Sequence, residues 1–344
     1  MKWLALTFGD ASCASTVFRV HQYVPLLKQQ GIELECVPAS KMDQIADFSS
    51  YDGVLLQKKL LSRSRRQRLI RSGLPVIFDI DDASWHPLEE KHHFLTRWRT
   101  NHRLAACLKL SRLAVPANEY LAGRLRRDCS CVEVLSSAKP RRLRRDCSCV
   151  EVLPMTLPVA DWRAAKPVEG PVVIGWAGAP GNHFQLRSIE PALRAVKQAM
   201  PEVVIRIFSG VRPEMDVEID FVPFDTARQI EVLHSFTIGL LPLPDTPFNH
   251  GKSPIKALQY MAAGIPCVAS ALSGTVEMLG EKGGGLYAAD LNAWIAHLLS
   301  LAKNEVLCRQ MGRASRERFE SLFTAEAAAR RWAEIFRQTA SACS

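Results

Sequence analysis

The feature that most narrows what this chain can fold into is an alternation of short apolar runs with helix-period stretches, repeated on either side of a proline-marked seam. In the first half, residues 4–8, 34–37, 53–56, 76–79 and 113–115 read as strands. Between them the spacing predicts helices over 17–30, closing at Gly31, over 62–71, stopping at Ser72-Gly73, over 97–110, and from Asn118 onward. Pro154, Pro158, Pro167 and Pro171 then punctuate a linker containing Trp162. The second half predicts a strand over 172–176 and a helix whose buried face carries Leu186, Ile189, Leu193 and Val196. A strand over 203–208 follows, turned by Ser209-Gly210, then a strand over 236–241, a helix over 254–263, a strand over 266–269 and a helix over 275–279. From Leu291 to about Thr339 the pattern is almost wholly helical. Such alternation implies an α/β chain of two Rossmann-like, doubly wound domains, whose ligands sit at the carboxyl ends of the strands. Two such domains facing each other would enclose a cleft. The expected limits are residues 1–160 and 161–325, with 326–344 a closing helix packed back on the first domain.

Composition fits that reading. Of 344 residues, 47% are hydrophobic and 23% charged, as in a soluble protein with a full core. No apolar run approaches the ~18–20 residues that cross a bilayer. The amino end reads as a first strand rather than a signal peptide, so a cytoplasmic location is expected. The net charge of +9 favours anionic partners. It concentrates in Arg63, Arg65, Arg66, Arg68 and Arg71, and again in Arg124, Arg126, Arg127, Arg141, Arg142, Arg144 and Arg145. These runs are either solvated helix faces or a peripheral contact with an anionic membrane surface carrying a lipid-linked acceptor. They lack interleaved aromatics, so no nucleic-acid partner is expected.

The second run belongs to a repeat. Residues 124–135 read RLRRDCSCVEVL, and residues 142–153 read the same. Two identical copies indicate a local duplication rather than a solenoid, and the duplicated segment 124–153 is expected to bulge between a helix and a strand. Four of the ten cysteines, Cys129, Cys131, Cys147 and Cys149, come from it. Their C-x-C pairs imitate a zinc site only because one was copied, so no metal is expected.

The densest chemical signal spans residues 248–270. Gly251-Lys252-Ser253 opens a helix, with Ser253 the expected N-cap and Pro254 the first helical position. Free backbone N–H groups at such an end favour a diphosphate, Lys252 adds a cation, and Lys256 stands one turn further on. Gln259 is placed to reach a ribose hydroxyl, and Gly264 caps the helix. Thr246, five residues before Gly251, excludes a P-loop. Gly175 and Gly178 are expected to let backbone approach phosphate, with His183 beside them on the donor side.

From Lys252 to Ser270 the sequence resembles the K-x-P-x-K-x-L-[EQ]-Y-M-A-x-G-x-P-V-V-A-S pattern of glycosyltransferase family 4, with Cys267 at the first of the two valines. Ile174-Gly175-Trp176-Ala177-Gly178-Ala179-Pro180-Gly181 is similar to the segment opening that family's donor domain. Ser15-Thr16-Val17-Phe18-Arg19-Val20 and Phe78-Asp79-Ile80-Asp81-Asp82-Ala83 are similar to its first half. The resemblance implies the GT-B fold, a UDP- or GDP-sugar as co-substrate with no resident cofactor, and retaining, metal-independent transfer to a glycan or lipid-linked acceptor hydroxyl of cell-surface polysaccharide or glycolipid type. It places Arg19, Asp81, Asp82 and His86 on the acceptor side. The family often carries two glutamates eight positions apart. Here those positions hold Gly251 and Gln259. Asp79, Asp81 and Asp82 also admit a metal reading, and His92 and His93 a cleft-facing one, both set below the acceptor-side role. The alternatives are a sugar-nucleotide epimerase and a non-catalytic subunit that uses the fold only to bind.

Overall fold

A computed structural model describes residues 1–86, 94–130, 149–165, 170–281 and 283–341. His92, His93, Pro167 and most of the duplicated segment, with Cys131 and Cys147, lie outside the described residues.

The chain divides into two compact units. The first comprises residues 1–156, 250–253 and 325–344, and the second residues 157–249 and 254–324. The expected limits differ from these mainly in the turn 250–253, which joins the first unit.

The first unit is built on six parallel strands: β1 (Lys2–Thr7), β2 (Glu33–Pro38), β3 (Gly53–Gln57), β4 (Val76–Ile80), β5 (Leu113–Pro116) and β6 (Cys149–Val150). Their order is β2-β1-β3-β4-β5-β6, so the winding reverses between β1 and β3. The central strands are buried on both faces, which is why they read as continuous apolar runs. The helix expected over 17–30 is broken into α1 (Ala14–Arg19), a 3-10 turn and α2 (Val24–Lys28). Pro25 lacks the N–H that an uninterrupted helix would need there, but it fits the first turn of a new one. Beyond it come α3 (Arg63–Ser72), α4 (Phe94–Leu110) and α5 (Glu119–Ser130). Far along the chain, α14 (Ala325–Ser341) supplies Trp332 and Phe336 to the same core as Trp3, Tyr23, Leu55 and Ile77.

The second unit repeats the plan with β7 (Val173–Ala177), β8 (Val204–Ser209), β9 (Asp220–Pro223), β10 (Ile238–Leu241), β11 (Cys267–Ser270) and β12 (Gly285–Ala288). The order β12-β11-β10-β7-β8-β9 puts the reversal between β7 and β10. Helices α6 (His183–Arg187), α7 (Glu190–Ala199), α8 (Gln229–His234), α9 (Pro247–His250), α10 (Ile255–Ala263), α11 (Ser273–Leu279), α12 (Leu291–Lys303) and α13 (Glu305–Leu322) complete the chain. The single helix expected around Leu186–Val196 is two, because Pro191 starts a new first turn. Strands β9 and β12 went unpredicted. Both are sheet edges, half covered, and so lack a solid apolar run.

Candidate functional site

Doubly wound sheets bind ligands at the carboxyl ends of their strands, where the winding reverses. In the second unit that point lies beyond β7 and β10. Gly178 follows β7, and its N–H donates to Phe208 O (3.0 Å) on the neighbouring strand. A Cβ there would stand 2.5 Å from Lys256 Nζ and 2.5 Å from the Trp176 ring, so only glycine admits both. The Lys256 ammonium lies 4.1 Å from the centroid of that ring, a cation–π contact on the first turn of α10. His183, at the start of α6, bonds through Nε2 to Ser209 Oγ (2.9 Å) at the end of β8, and meets Trp176 edge-on. Burial, with Arg187 and Lys256 adding to it, holds its imidazole below the usual value. The ring is therefore neutral at pH 7. Gln259 is buried within α10, at 3% exposure.

Of the donor-side expectations, Gly175 and Ser253 change role, and Gly251 and Lys252 fall in the turn 250–253 of the first unit. Gly175 lies inside β7, where a Cβ would strike the Phe236 ring at 2.1 Å, so it serves packing rather than phosphate approach. Ser253 does not cap α10. The cap position is Pro254, and the Ser253 hydroxyl instead accepts from Asn118 Nδ2 (3.1 Å).

In the first unit the reversal lies beyond β1 and β3, and a second polar group collects at that carboxyl edge. Lys58 directly follows β3 in the left-handed region (φ 56°), the one such non-glycine among the described residues. That conformation costs about 1–2 kcal/mol and persists only where surrounding contacts enforce it. Its N–H donates to Asp79 O (2.7 Å), and its ammonium pairs with Asp82 and stands 3.1 Å from Asp81 Oδ1. Ser15 Oγ donates to Asp81 Oδ2 (2.5 Å), and Gln57 Nε2 donates to Ser15 O (3.0 Å). Burial and the neighbouring Asp81 raise the Asp82 carboxyl. Lys252, in the turn 250–253, belongs to this group. Burial lowers its ammonium, Asp82 opposes that shift, and Lys58 adds to it. Asn118 caps α5 by accepting from Leu121 N (3.0 Å), while its Nδ2 donates to Gly251 O (3.0 Å).

The glycine at 251 has a packing reason. A Cβ there would lie 2.7 Å from Ala83 Cβ and 2.9 Å from Leu121 Cδ2, so a glutamate cannot be accommodated without displacing both.

Arg19 is the clearest correction. It is fully buried: Nε and Nη2 grip Asp79 Oδ1 at 2.8 and 2.7 Å, and the remaining donors reach Leu153 O, Pro154 O and Val115 O. With its guanidinium enclosed it has no donor for an acceptor, and it ties β1's following helix to β4, β5 and the strand exit. His86 lies beside Trp85 (6.0 Å between ring centroids), and burial, with Arg124 and Arg97 adding to it, lowers its imidazole. Among the described residues no group of His, Cys, Asp and Glu could hold a metal. Lys58 and Asn118 carried no motif in the sequence; their only signal is position, each lying just past a strand end, while Ser15 fell in a segment of family resemblance without being singled out.

Residues 174–304 match the family model described as Glycosyl transferases group 1. No curated protein matches the chain in sequence. Among solved structures it is similar to a sucrose-phosphate synthase from Thermosynechococcus elongatus, at 16% identity and a TM-score of 0.72 over 99% of each chain. It is also similar to HepE of Anabaena in complex with UDP, at 12% identity and a TM-score of 0.71, over 98% of this chain and 100% of that one. The HepE complex with UDP-glucose gives 12% identity and a TM-score of 0.69 over the same shares. The two parallel-sheet units thus have the GT-B fold, and the segment similar to the glycosyl transferases group 1 model falls in the second.

Proposed function

We propose that this chain, a GT-B-fold glycosyltransferase by its group 1 domain, transfers a sugar from a UDP- or GDP-sugar to an acceptor hydroxyl on a glycan or lipid-linked glycan. Transfer retains the anomeric configuration and uses no bound metal. The observation that carries this reading is the Lys256 ammonium set against Trp176 and Gly178 at the winding reversal of the second unit, on the first turn of α10. A diphosphate there meets a cation and the positive end of a helix together. HepE, of the same fold, has been solved with UDP and with UDP-glucose, which supports a uridine donor for this chain.

Negative charge grows on the leaving diphosphate as the glycosidic bond breaks. Lys256 and the α10 N–H groups are positioned before that charge develops, so they stabilise the transition state without reorganising. Neutral His183, held by Ser209, offers one ring nitrogen to a donor oxygen without adding a charge. The leaving phosphate takes the acceptor proton, which is consistent with the lack of a carboxylate at position 251. In the first unit, Asp82 and Lys58 supply an acceptor and a donor for a sugar hydroxyl.

Calorimetry with UDP, GDP and ADP, paired with donor turnover, tests the reading. Lys256→Ala is expected to weaken nucleoside diphosphate binding by about tenfold or more, equivalent to ~1.4 kcal/mol. Lys252→Ala is expected to spare it, and turnover is expected to survive EDTA. Loss of diphosphate binding in Lys252→Ala alone would move the donor cation to that residue. Absence of nucleotide binding altogether would favour a non-catalytic subunit.

A further inference from the structure

Helix α4 begins with six consecutive exposed residues, Phe94 to Arg99, and buries only Leu104, Cys107 and Leu108 in its later half. Because β4 and β5 are parallel neighbours, the helix joining them must start at the carboxyl edge of the sheet and return along it. Its amino end therefore overhangs the edge that carries Lys58, Asp81 and Asp82. Three of the overhanging side chains are large and apolar: Phe94 is 77% exposed, Leu95 62% and Trp98 59%. At about 100° per residue they share one stripe, facing away from Leu104, Cys107 and Leu108. His102 stacks on Trp98 and extends the stripe by a turn. Arg97 borders it on one side, Arg99 and Arg103 on the other, and the helix holds no aspartate or glutamate.

From this arrangement we infer that the amino end of α4 is a docking surface for an anionic lipid bilayer. An apolar stripe of one aromatic pair and a leucine, rimmed by arginines, is the composition of a helix that seats its apolar side chains at the headgroup boundary. Arg97, Arg99 and Arg103 supply the positive potential that attracts lipid phosphate. Nucleic acid would leave Leu95 and Phe94 without a partner, whereas acyl chains cover them. Within the two arginine runs conspicuous in the sequence, Arg65 is paired with Asp43, Arg124 with Asp128 and Arg126 with Glu119. No described helix is long and apolar enough to cross a membrane, so contact is made from one side. Taken with the proposed transferase reading, on which this clause alone rests, the surface assigns the acceptor to the lipid-linked class.

Flotation of the full chain with phosphatidylcholine vesicles, with and without phosphatidylglycerol, tests the surface without any turnover. The wild type is expected to float with the anionic vesicles and to release as salt is raised. The triple variant Phe94→Ser/Leu95→Ser/Trp98→Ser is expected to lose at least ~10-fold in vesicle partition, since each such side chain contributes on that order when buried. Arg97→Gln and Arg99→Gln are each expected to lose about fivefold, on anionic vesicles only. Trp98→Ser alone provides the milder variant should the triple one misfold. Thermal melts followed by circular dichroism report the fold of every variant, and UDP titration without lipid tests the transferase reading separately. The inference is overturned if the wild type ignores anionic vesicles, or if Trp98→Ser floats as the wild type does. A single-stranded oligonucleotide bound in place of vesicles, or a wild-type dimer abolished by the triple variant, would also overturn it.

Discussion

Two residues show how differently a glycine or a histidine can be constrained. Gly251 occupies a position where the family that the sequence resembles often carries a carboxylate, yet Ala83 and Leu121 leave no space for one. Gly251→Glu should therefore destabilise rather than improve the enzyme, by ~1–3 kcal/mol as overpacking usually does. Chemical denaturation measures this, and a glutamate variant of unchanged stability would show that the turn opens freely. His183 sets a pH dependence. Its folded-state value is lowered from 6.5 by burial first, then by Arg187 and Lys256. The neutral ring is thus favoured on folding, so its contribution is fully present above that usual value and is lost as pH falls through the lowered one. Thermal melts between about pH 7 and pH 5 should show a falling Tm, and His183→Gln should flatten the slope. An identical slope in the variant would assign the effect to other histidines. At this scale the sequence was a partial guide. Gly178, His183 and Lys252 were singled out by motif and position for the donor side, yet Lys252 lies with Asp82 and Lys58 in the first unit. Lys58 was not singled out, because nothing local distinguishes a strained lysine from an ordinary one.

Among the elements, α14 is the most instructive. Its apolar periodicity announced a helix, and the core of the first unit is where that helix is spent. Trp332 is 1% exposed, stacks on Phe336 at 5.5 Å, and lies 5.9 Å below the Arg19 guanidinium. Phe336 in turn meets Trp3 at 4.6 Å. Trp332→Ala should cost ~3–5 kcal/mol, the range for deleting a buried aromatic, and should lower Tm without changing UDP affinity at temperatures where the protein is folded. A parallel loss of affinity in folded protein would give α14 a role beyond stability. Element boundaries were least legible where proline restarts a helix, at Pro25 and Pro191, and at the edge strands β9 and β12. Half-covered strands need no continuous apolar run, so their pattern dissolves into that of loops.

On the scale of the whole molecule, the duplication has a simple structural reading. Residues 124–130 close helix α5 with RLRRDCS, and residues 149–153 open with strand β6 as CVEVL. Joined directly, they spell one full copy of the repeat. Excising residues 131–148 should therefore leave thermal stability and donor binding close to those of the parent, with the last turn of α5 opening to make the connection to β6. A collapsed expression yield or lost nucleotide binding would mean that the extra copy has become part of the fold. What the sequence determined by itself was the α/β alternation and the two-unit plan, because both are written in local periodicity and in the prolines between the halves. What only the tertiary structure decided was which polar residues meet. Arg19 went into the core, Lys256 onto Trp176, and Lys252 to Lys58 and Asp82, since those pairings depend on parallel strands distant in sequence ending at one edge, and no local pattern encodes that edge.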